Sequence, residues 1–292
     1  MAGHIAQLAA RGVVGVSGPD ALKLLDSLIT NDMGLLASQA AMHAGLLSPQ
    51  GKILFAFFAV GSGDDFLLDV ALDHAAALVK RLNMYKLRAA ATFTDLSAQM
   101  TIAVAWGGPA PAVPRGILAY PDPRHTELGT RLLLPTGRLP ELGTIDADAT
   151  GYQSHRVGLG VPDEISDYPL GDTFPHEADF DLFNGVSFTK GCYVGQEVVS
   201  RMQNKTVVRK RVVRIAGDGL APGAEVKQGD GVIGTVGSLA GRNALAMLRL
   251  DRAVEAADKC EMVTANGQPI TVDAVALARY RDSLANKPVI DL

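Results

Sequence analysis

The residues best suited to chemistry lie in one stretch, Phe188-Thr189-Lys190-Gly191-Cys192-Tyr193-Val194-Gly195-Gln196-Glu197. Two glycines frame a single cysteine, a lysine precedes it by two positions, and an amide and a carboxylate follow. Val198, Val199 and Met202 then fall on one face of a helix that opens near Gly195. A thiol just ahead of a helix N-terminus feels the positive end of the helix dipole. A nearby lysine adds to that field, and both favour the thiolate, the form that attacks electrophiles and binds metals. The glycines let a ligand approach the backbone closely. The alternative is a buried, inert cysteine in a tight strand-to-helix turn, the commoner state of a lone cysteine.

Other chemistries find little footing. The second cysteine, Cys260, sits in a strand-like segment and reads as a bystander. No C-x-x-C or C-x-H pairing occurs, so a zinc knuckle or self-contained iron–sulfur cage lacks ligands, and no metal site of the chain's own is expected. The histidines, His4, His43, His74, His125, His155 and His176, show no H-x-x-x-H or H-x-H spacing. Nucleophile-elbow, dinucleotide and Walker patterns are absent. The run 201–214 carries Arg201, Lys205, Arg209, Lys210, Arg211 and Arg214 with no acid among them. It suits a polyanion, such as RNA phosphate, or an acidic protein; it suits equally a solvated strand edge kept charged against aggregation. Arg88 and Arg156 are fitted for bidentate contact with ligand carboxylates, or for internal acids such as Asp20 and Asp32.

The elements that must position these groups are short. Residues 12–16 read as a strand, and Ser17-Gly18-Pro19 opens a helix whose buried face is Ala21, Leu22, Leu25, Leu28 and Ile29. Residues 53–60 form a continuous apolar run, the pattern of a fully buried strand, and 66–70 return as a hairpin. Residues 74–87 suggest a surface helix, 90–94 and 101–106 strands, and 131–135 and 144–147 weaker elements. A helix over 151–164 stops near 158–162, and 165–179 is a long irregular loop of the kind that is functional or lines an interface. From Thr206 onward, short strands divided by glycine, proline and Asn266-Gly267 turns predict a small β-barrel.

Composition bounds the whole. The 292 residues, 48% hydrophobic and 20% charged, describe a globular chain of about two domains. A net charge of −4 and 5% aromatics argue against a general nucleic-acid coat or a base-stacking platform. The uncharged stretches 33–51 and 96–114 are broken by glycine, proline or glutamine, so no membrane span is expected. The N-terminal residues carry neither a signal-peptide core nor an Arg-rich amphipathic pattern, which predicts a cytoplasmic protein.

Lys190-Gly191-Cys192-Tyr193-Val194-Gly195-Gln196-Glu197 resembles the K-G-C-[FY]-x-G-Q-E signature of the YgfZ family, folate-binding proteins related to the glycine-cleavage T-protein. The context is similar to the branch that includes the mitochondrial iron–sulfur assembly factor. It comprises Tyr152-Gln153-Ser154-His155-Arg156, Gly160-Val161-Pro162 and Asn184-Gly185-Val186-Ser187-Phe188-Thr189 before the signature, and Arg209-Lys210-Arg211 after it. Gly18-Pro19-Asp20-Ala21, Thr30-Asn31-Asp32, Pro49-Gln50-Gly51-Lys52 and Tyr85-Lys86-Leu87-Arg88 extend the resemblance into the N-terminal half.

The resemblance implies an α+β fold. Two interleaved lobes (residues 1–205) would surround a central folate channel, and a β-barrel (206–292) would follow. It implies tetrahydrofolate as cofactor and iron–sulfur assembly or client proteins as partners. The role would be to assemble or repair iron–sulfur proteins, among them enzymes that modify tRNA. Cys192 would contact a cluster, a partner or a folate-borne group, and Lys190 would favour its thiolate. Gly191, Tyr193, Gly195, Gln196 and Glu197 would shape and line the site, and Arg88 and Arg156 would meet the cofactor. A folate-dependent one-carbon transferase and a non-catalytic folate-binding module are the alternatives. Against the transferase, the strand Gly51-Lys52-Ile53-Leu54-Phe55-Ala56-Phe57 lacks the carboxylates of T-proteins, and Gly158 stands where they carry a pterin-holding glutamate. Residues without polar side chains cannot orient the folate amine.

Overall fold

The computed structural model describes residues 3–143 and 147–286; the weaker element expected at 144–147 falls largely outside them. The chain divides into two compact units, each assembled from separate pieces: Met1–Pro49, Ile53–Tyr152 and Phe183–Val194 in the first, and Gln50–Lys52, Gln153–Leu182 and Gly195–Leu292 in the second.

The first unit holds β1 (His4–Gln7), β2 (Arg11–Ser17), α1 (Ala21–Leu28), β3 (Ala41–Leu47), β4 (Ile53–Ser62), β5 (Asp65–Ala71), α2 (Ala75–Lys86), β6 (Thr92–Asp95), β7 (Met100–Trp106), β8 (Leu118–Pro121) and β9 (Thr130–Pro135). They form two antiparallel sheets, ordered β3-β4-β5-β2-β6 and β1-β7-β9-β8. The continuous apolar run of β4 has the expected cause, burial on both faces. Phe55, Phe57 and Ala59 join the core under α1 and α2. Phe58 and Val60 point the other way, into a core shared with Ile102, Tyr120 and Leu133 of the second sheet. The stripe on α1 is narrower than its sequence suggests: Ala21, Leu25 and Leu28 are buried, whereas Leu22 is 51% exposed.

Charge is buried where the two sheets of this unit meet. Asp69 of β5 accepts from Arg11 Nε at 2.7 Å, Tyr120 Oη at 2.8 Å and Arg131 Nε at 2.9 Å. Burial raises the Asp69 carboxyl, but Arg11 and Arg131 outweigh it and hold the acid below its usual range. Beside them Asp122 pairs with Arg124 at 2.8 Å. The guanidiniums of Arg11, Arg124 and Arg131 all lie within 5.6 Å of the Phe58 ring centre.

The second unit follows a helix, α3 (Ala149–Leu159), that runs across the boundary between units. After the irregular residues 160–195 come α4 (Gln196–Lys205), β10 (Lys210–Gly217), β11 (Glu225–Gln228), β12 (Gly231–Ala240), β13 (Asn243–Arg249), α5 (Leu250–Asp258), β14 (Val263–Ala265), β15 (Gln268–Val272) and α6 (Ala274–Asn286). The predicted barrel is there: β10-β13-β12-β11-β14-β15 closes on itself through β10–β15 pairing. Two helices unforeseen in the sequence complete it, placing Ala253, Val254, Leu277 and Tyr280 against the barrel core. Cys260 therefore lies not in a strand but in the turn after α5, at φ +54°.

His43 of β3 ties the core of the first unit to the segment that carries the cysteine. Its ring stacks near Phe58 at 5.6 Å, and Nδ1 lies 3.2 Å from the Phe183 carbonyl oxygen. Burial, with the Arg124 cation second, pushes the imidazole down to about 3. The unfolded chain binds that proton near the ordinary histidine value, about 6.5. Between these two values the unfolded state holds more protons, so stability drops as pH falls through this window. Melting temperature followed from neutral pH to about pH 4 should fall more steeply in the wild type than in His43→Gln. Parallel curves would remove His43 from the acid response.

Candidate functional site

Within the first unit, the thiol segment is held by polar residues that follow α1. Thr30 Oγ1 donates to the Gly185 carbonyl at 2.6 Å, and Asn31 Nδ2 to those of Asn184 and His43, each at 2.8 Å. The Ser187 amide donates to the Thr30 carbonyl at 2.9 Å. Both Thr30 and Asn31 are buried, so these bonds satisfy backbone groups that water does not reach.

Lys190 is the deepest anchor. Its ammonium donates to the carbonyl oxygens of Asp26 (2.5 Å), Ile29 (3.1 Å) and Asn31 (2.8 Å), and lies 3.2 Å from the Asp26 carboxylate. Its side chain is 1% exposed. The first two carbonyls belong to the end of α1, which has no basic residue in its last turn. A helix C-terminus leaves carbonyls unpaired and concentrates negative partial charge. Lys190 supplies from far along the chain the cation that α1 lacks. Burial lowers the Lys190 pKa, with Asp26 pulling the other way. All three ammonium protons are taken, which leaves none for the Cys192 sulfur. These contacts make Lys190 a structural clamp on this segment.

Tyr193 grips the other side of the cysteine. It is buried, its ring centre is 5.4 Å from the Lys190 ammonium, and burial pushes its phenol up to about 12. Between these anchors Gly191 and Cys192 are exposed, and Cys192 is a free thiol. The bland expectation of a buried, inert cysteine is set aside: the backbone is fixed and the sulfur faces solvent. Phe188, 44% exposed, adds an apolar side chain just ahead of it in sequence.

The remaining residues singled out from the sequence are placed as follows. Arg88, in the first unit, is exposed on the turn after α2. In the second unit Gly195 is the N-cap of α4 at φ +82°, a conformation natural to glycine. Gly51 at φ +81° approaches the same helix so closely that a Cβ would sit 2.9 Å from Val198 Cβ. Gln196 is half-buried, and Glu197, exposed in the first turn of α4, pairs with Arg201 at 2.8 Å rather than capping the turn. Arg156 is 1% exposed and committed: to Asp167 at 2.7 Å, Ser238 Oγ at 2.6 Å and the Val161 carbonyl at 2.5 Å. It is a bolt between α3, the following loop and the barrel, not an open carboxylate receptor.

Part of the basic run is paired with acids of its own unit. Arg211 bridges Asp179 (2.8 Å) and Asp181 (2.7 Å), and Arg214 meets Asp273 at 2.6 Å. Arg201 pairs with Glu197 on the exposed face of α4, and Lys205 is exposed at the end of that helix. No cluster of three or more His, Cys, Asp or Glu side chains able to hold a metal ion exists among the described residues. No helix there is long and apolar enough to cross a membrane.

Comparison with known proteins places this geometry. A family model described as the C-terminal β-barrel domain of CAF17 matches residues 209–279. The chain is 34% identical over 228 residues to the mitochondrial iron–sulfur cluster assembly factor IBA57 homologue of Mycosarcoma maydis, covering 73% of this chain and 57% of that protein. It is 31% identical to the mouse and human mitochondrial IBA57 factors, covering 76% and 77% of this chain and 69% and 71% of theirs. The chain belongs to the IBA57 family. It spans little more than half the length of the fungal relatives from Mycosarcoma maydis and Neurospora crassa. Its fold is that of the glycine cleavage system aminomethyltransferase T from Bartonella henselae. The two agree at TM-score 0.74 and 16% identity, over 94% of this chain and 86% of the other. The expectation of a cytoplasmic protein is overturned, because the IBA57 relatives it rests among are mitochondrial factors.

Of the partners of the thiol segment, Thr30 and Asn31 were marked in sequence by the Thr30-Asn31-Asp32 motif, whereas nothing there singled out Asp26. Lys190→Met should destabilise the first unit by about 2–3 kcal/mol, the scale of lost charge-assisted hydrogen bonds. Denaturant unfolding followed by the fluorescence of the single tryptophan, Trp106, reads this. Cys192→Ser, at an exposed position, should stay within about 0.5 kcal/mol of wild type.

Proposed function

We infer that this chain works in the assembly or repair of iron–sulfur proteins, and that Cys192 is the thiol it lends to that work. One observation carries the reading: an exposed sulfur on a backbone pinned by buried Lys190 and Tyr193 on either side. A ligand atom held in place loses little freedom when it binds. The thiol gives its proton to solvent and its sulfur lone pair to iron. One cysteine cannot complete the four-ligand set of a cluster, so the other ligands come from a partner protein, and the exposed Phe188 is available to pack against it. Membership of the IBA57 family supports the class of work. Clients in this reading include iron–sulfur enzymes that modify tRNA.

Tetrahydrofolate has a weaker claim on the residues present. Arg156 is saturated by protein partners, and Phe55 and Phe57 are buried apolar groups where T-proteins place carboxylates. Gly158 offers no side chain at all. These positions do not fit aminomethyl transfer, and the chemistry proposed for Cys192 requires none.

In a deletion strain, Cys192→Ala should accumulate as folded protein yet fail to restore the activity of iron–sulfur enzymes. Full restoration would remove the thiol from the mechanism. Calorimetric titration of the purified chain with tetrahydrofolate should give no saturable heat at the concentrations used for the cofactor in transferases. Saturable binding would return folate to the account.

A further inference from the structure

The first unit carries a second exposed feature, unrelated to Cys192, at the end of α2. The Ala89 amide donates to the Lys86 carbonyl at 2.8 Å, closing a four-residue turn directly after the helix. Leu87 occupies its second position at φ +46°, ψ −104°. These are the angles of a type II′ turn, where glycine is the usual residue because a side chain there is strained. The strain is not offset by burial: Leu87 is 89% exposed, and Met84, one helical turn earlier, is 62% exposed. A conformation that costs free energy and gains no packing points to a function outside the fold.

Charge surrounds the leucine. From His74 to Thr94 the chain holds Lys80, Arg81, Lys86 and Arg88 and no acid. Lys80 and Arg81 stand at i−4 and i−3 from Met84, on its side of the helix. Lys86 and Arg88 flank Leu87 directly. One acid stands close to this turn: the Asp20 carboxylate accepts from the Ala90 amide at 2.7 Å. Cations at a helix C-terminus offset the helix dipole, which accounts for Lys86 and Arg88 but not for a strained leucine projecting between them.

We propose that this tip is a peripheral docking site for an anionic lipid surface, with Leu87 and Met84 entering the interface and Lys80, Arg81, Lys86 and Arg88 meeting lipid phosphates. Charge complementarity selects the anionic partner. The projecting shape favours a bilayer over a protein, since an interface of lipid headgroups receives a protruding side chain without a matching cavity. Attachment of this kind is reversible and needs no spanning helix.

Sedimentation with vesicles tests it, using the purified full chain. The protein should associate with vesicles of equimolar phosphatidylglycerol and phosphatidylcholine, and not with phosphatidylcholine alone. Association should vanish in about 1 M salt, where the screening length is only about 3 Å. Lys86→Gln and Arg88→Gln should each weaken it about fivefold. Leu87→Gly separates binding from folding: glycine relieves the strain, so melting temperature should hold or rise, while association falls by about tenfold or more. No association of the wild type with the mixed vesicles, equal association with phosphatidylcholine, or undiminished association of Leu87→Gly would overturn the proposal. The first result would leave an acidic protein surface as the partner of this tip.

Discussion

The Lys190 ammonium in its cage of carbonyls is the interaction on which the thiol site depends. Burying an ammonium is costly unless its charge and protons are matched. Here the match comes from the end of α1, whose carbonyls have no partner within the helix and whose last turn has no cation of its own. Each side supplies what the other lacks. The helix gains a C-terminal cap, and the chain around Cys192 gains a fixed point. Because Lys190 and Cys192 are two residues apart, fixing one restricts the other, and Tyr193 completes the restriction from the far side. The outcome combines two properties that usually oppose each other, an exposed sulfur and an ordered backbone.

The same economy of buried charge recurs away from the thiol. Asp69 joins two sheets through Arg11, Arg131 and Tyr120, and Arg156 fastens α3 to the barrel through Asp167 and Ser238. In each case a guanidinium is spent on cohesion rather than on a ligand. The chain shares its architecture with a glycine cleavage aminomethyltransferase at 16% identity, with Arg156 buried and paired inside it.

Much of this was legible in the sequence, and the rest was hidden for physical reasons. The doubly buried β4 announced itself as an unbroken apolar run, and the barrel strands were marked by glycine and proline turns. Cys192 stood out because its neighbours suit no ordinary strand or helix. The helices α5 and α6 were missed because their alanine-rich patterns lie among short strands, and the Asp273 cap of α6 follows directly on strand β15. The partners of Lys190 and Arg156 were hidden for a common reason. A cation's function is set by its partners, and Asp26 and Ser238 are each remote in sequence from the residue they bind. Leu87 passed as the last residue of a helix because only backbone angles reveal the turn it occupies.

The central claim is that the Lys190 cage holds the Cys192 loop in place, and backbone amide hydrogen exchange measures this most directly. Compared with wild type, Lys190→Met should speed exchange across Ser187 to Tyr193 and at the end of α1, while the barrel strands β10, β12 and β13 keep their protection. Unchanged exchange in the thiol loop of that variant would contradict the account, since the loop would then be ordered by something other than the lysine.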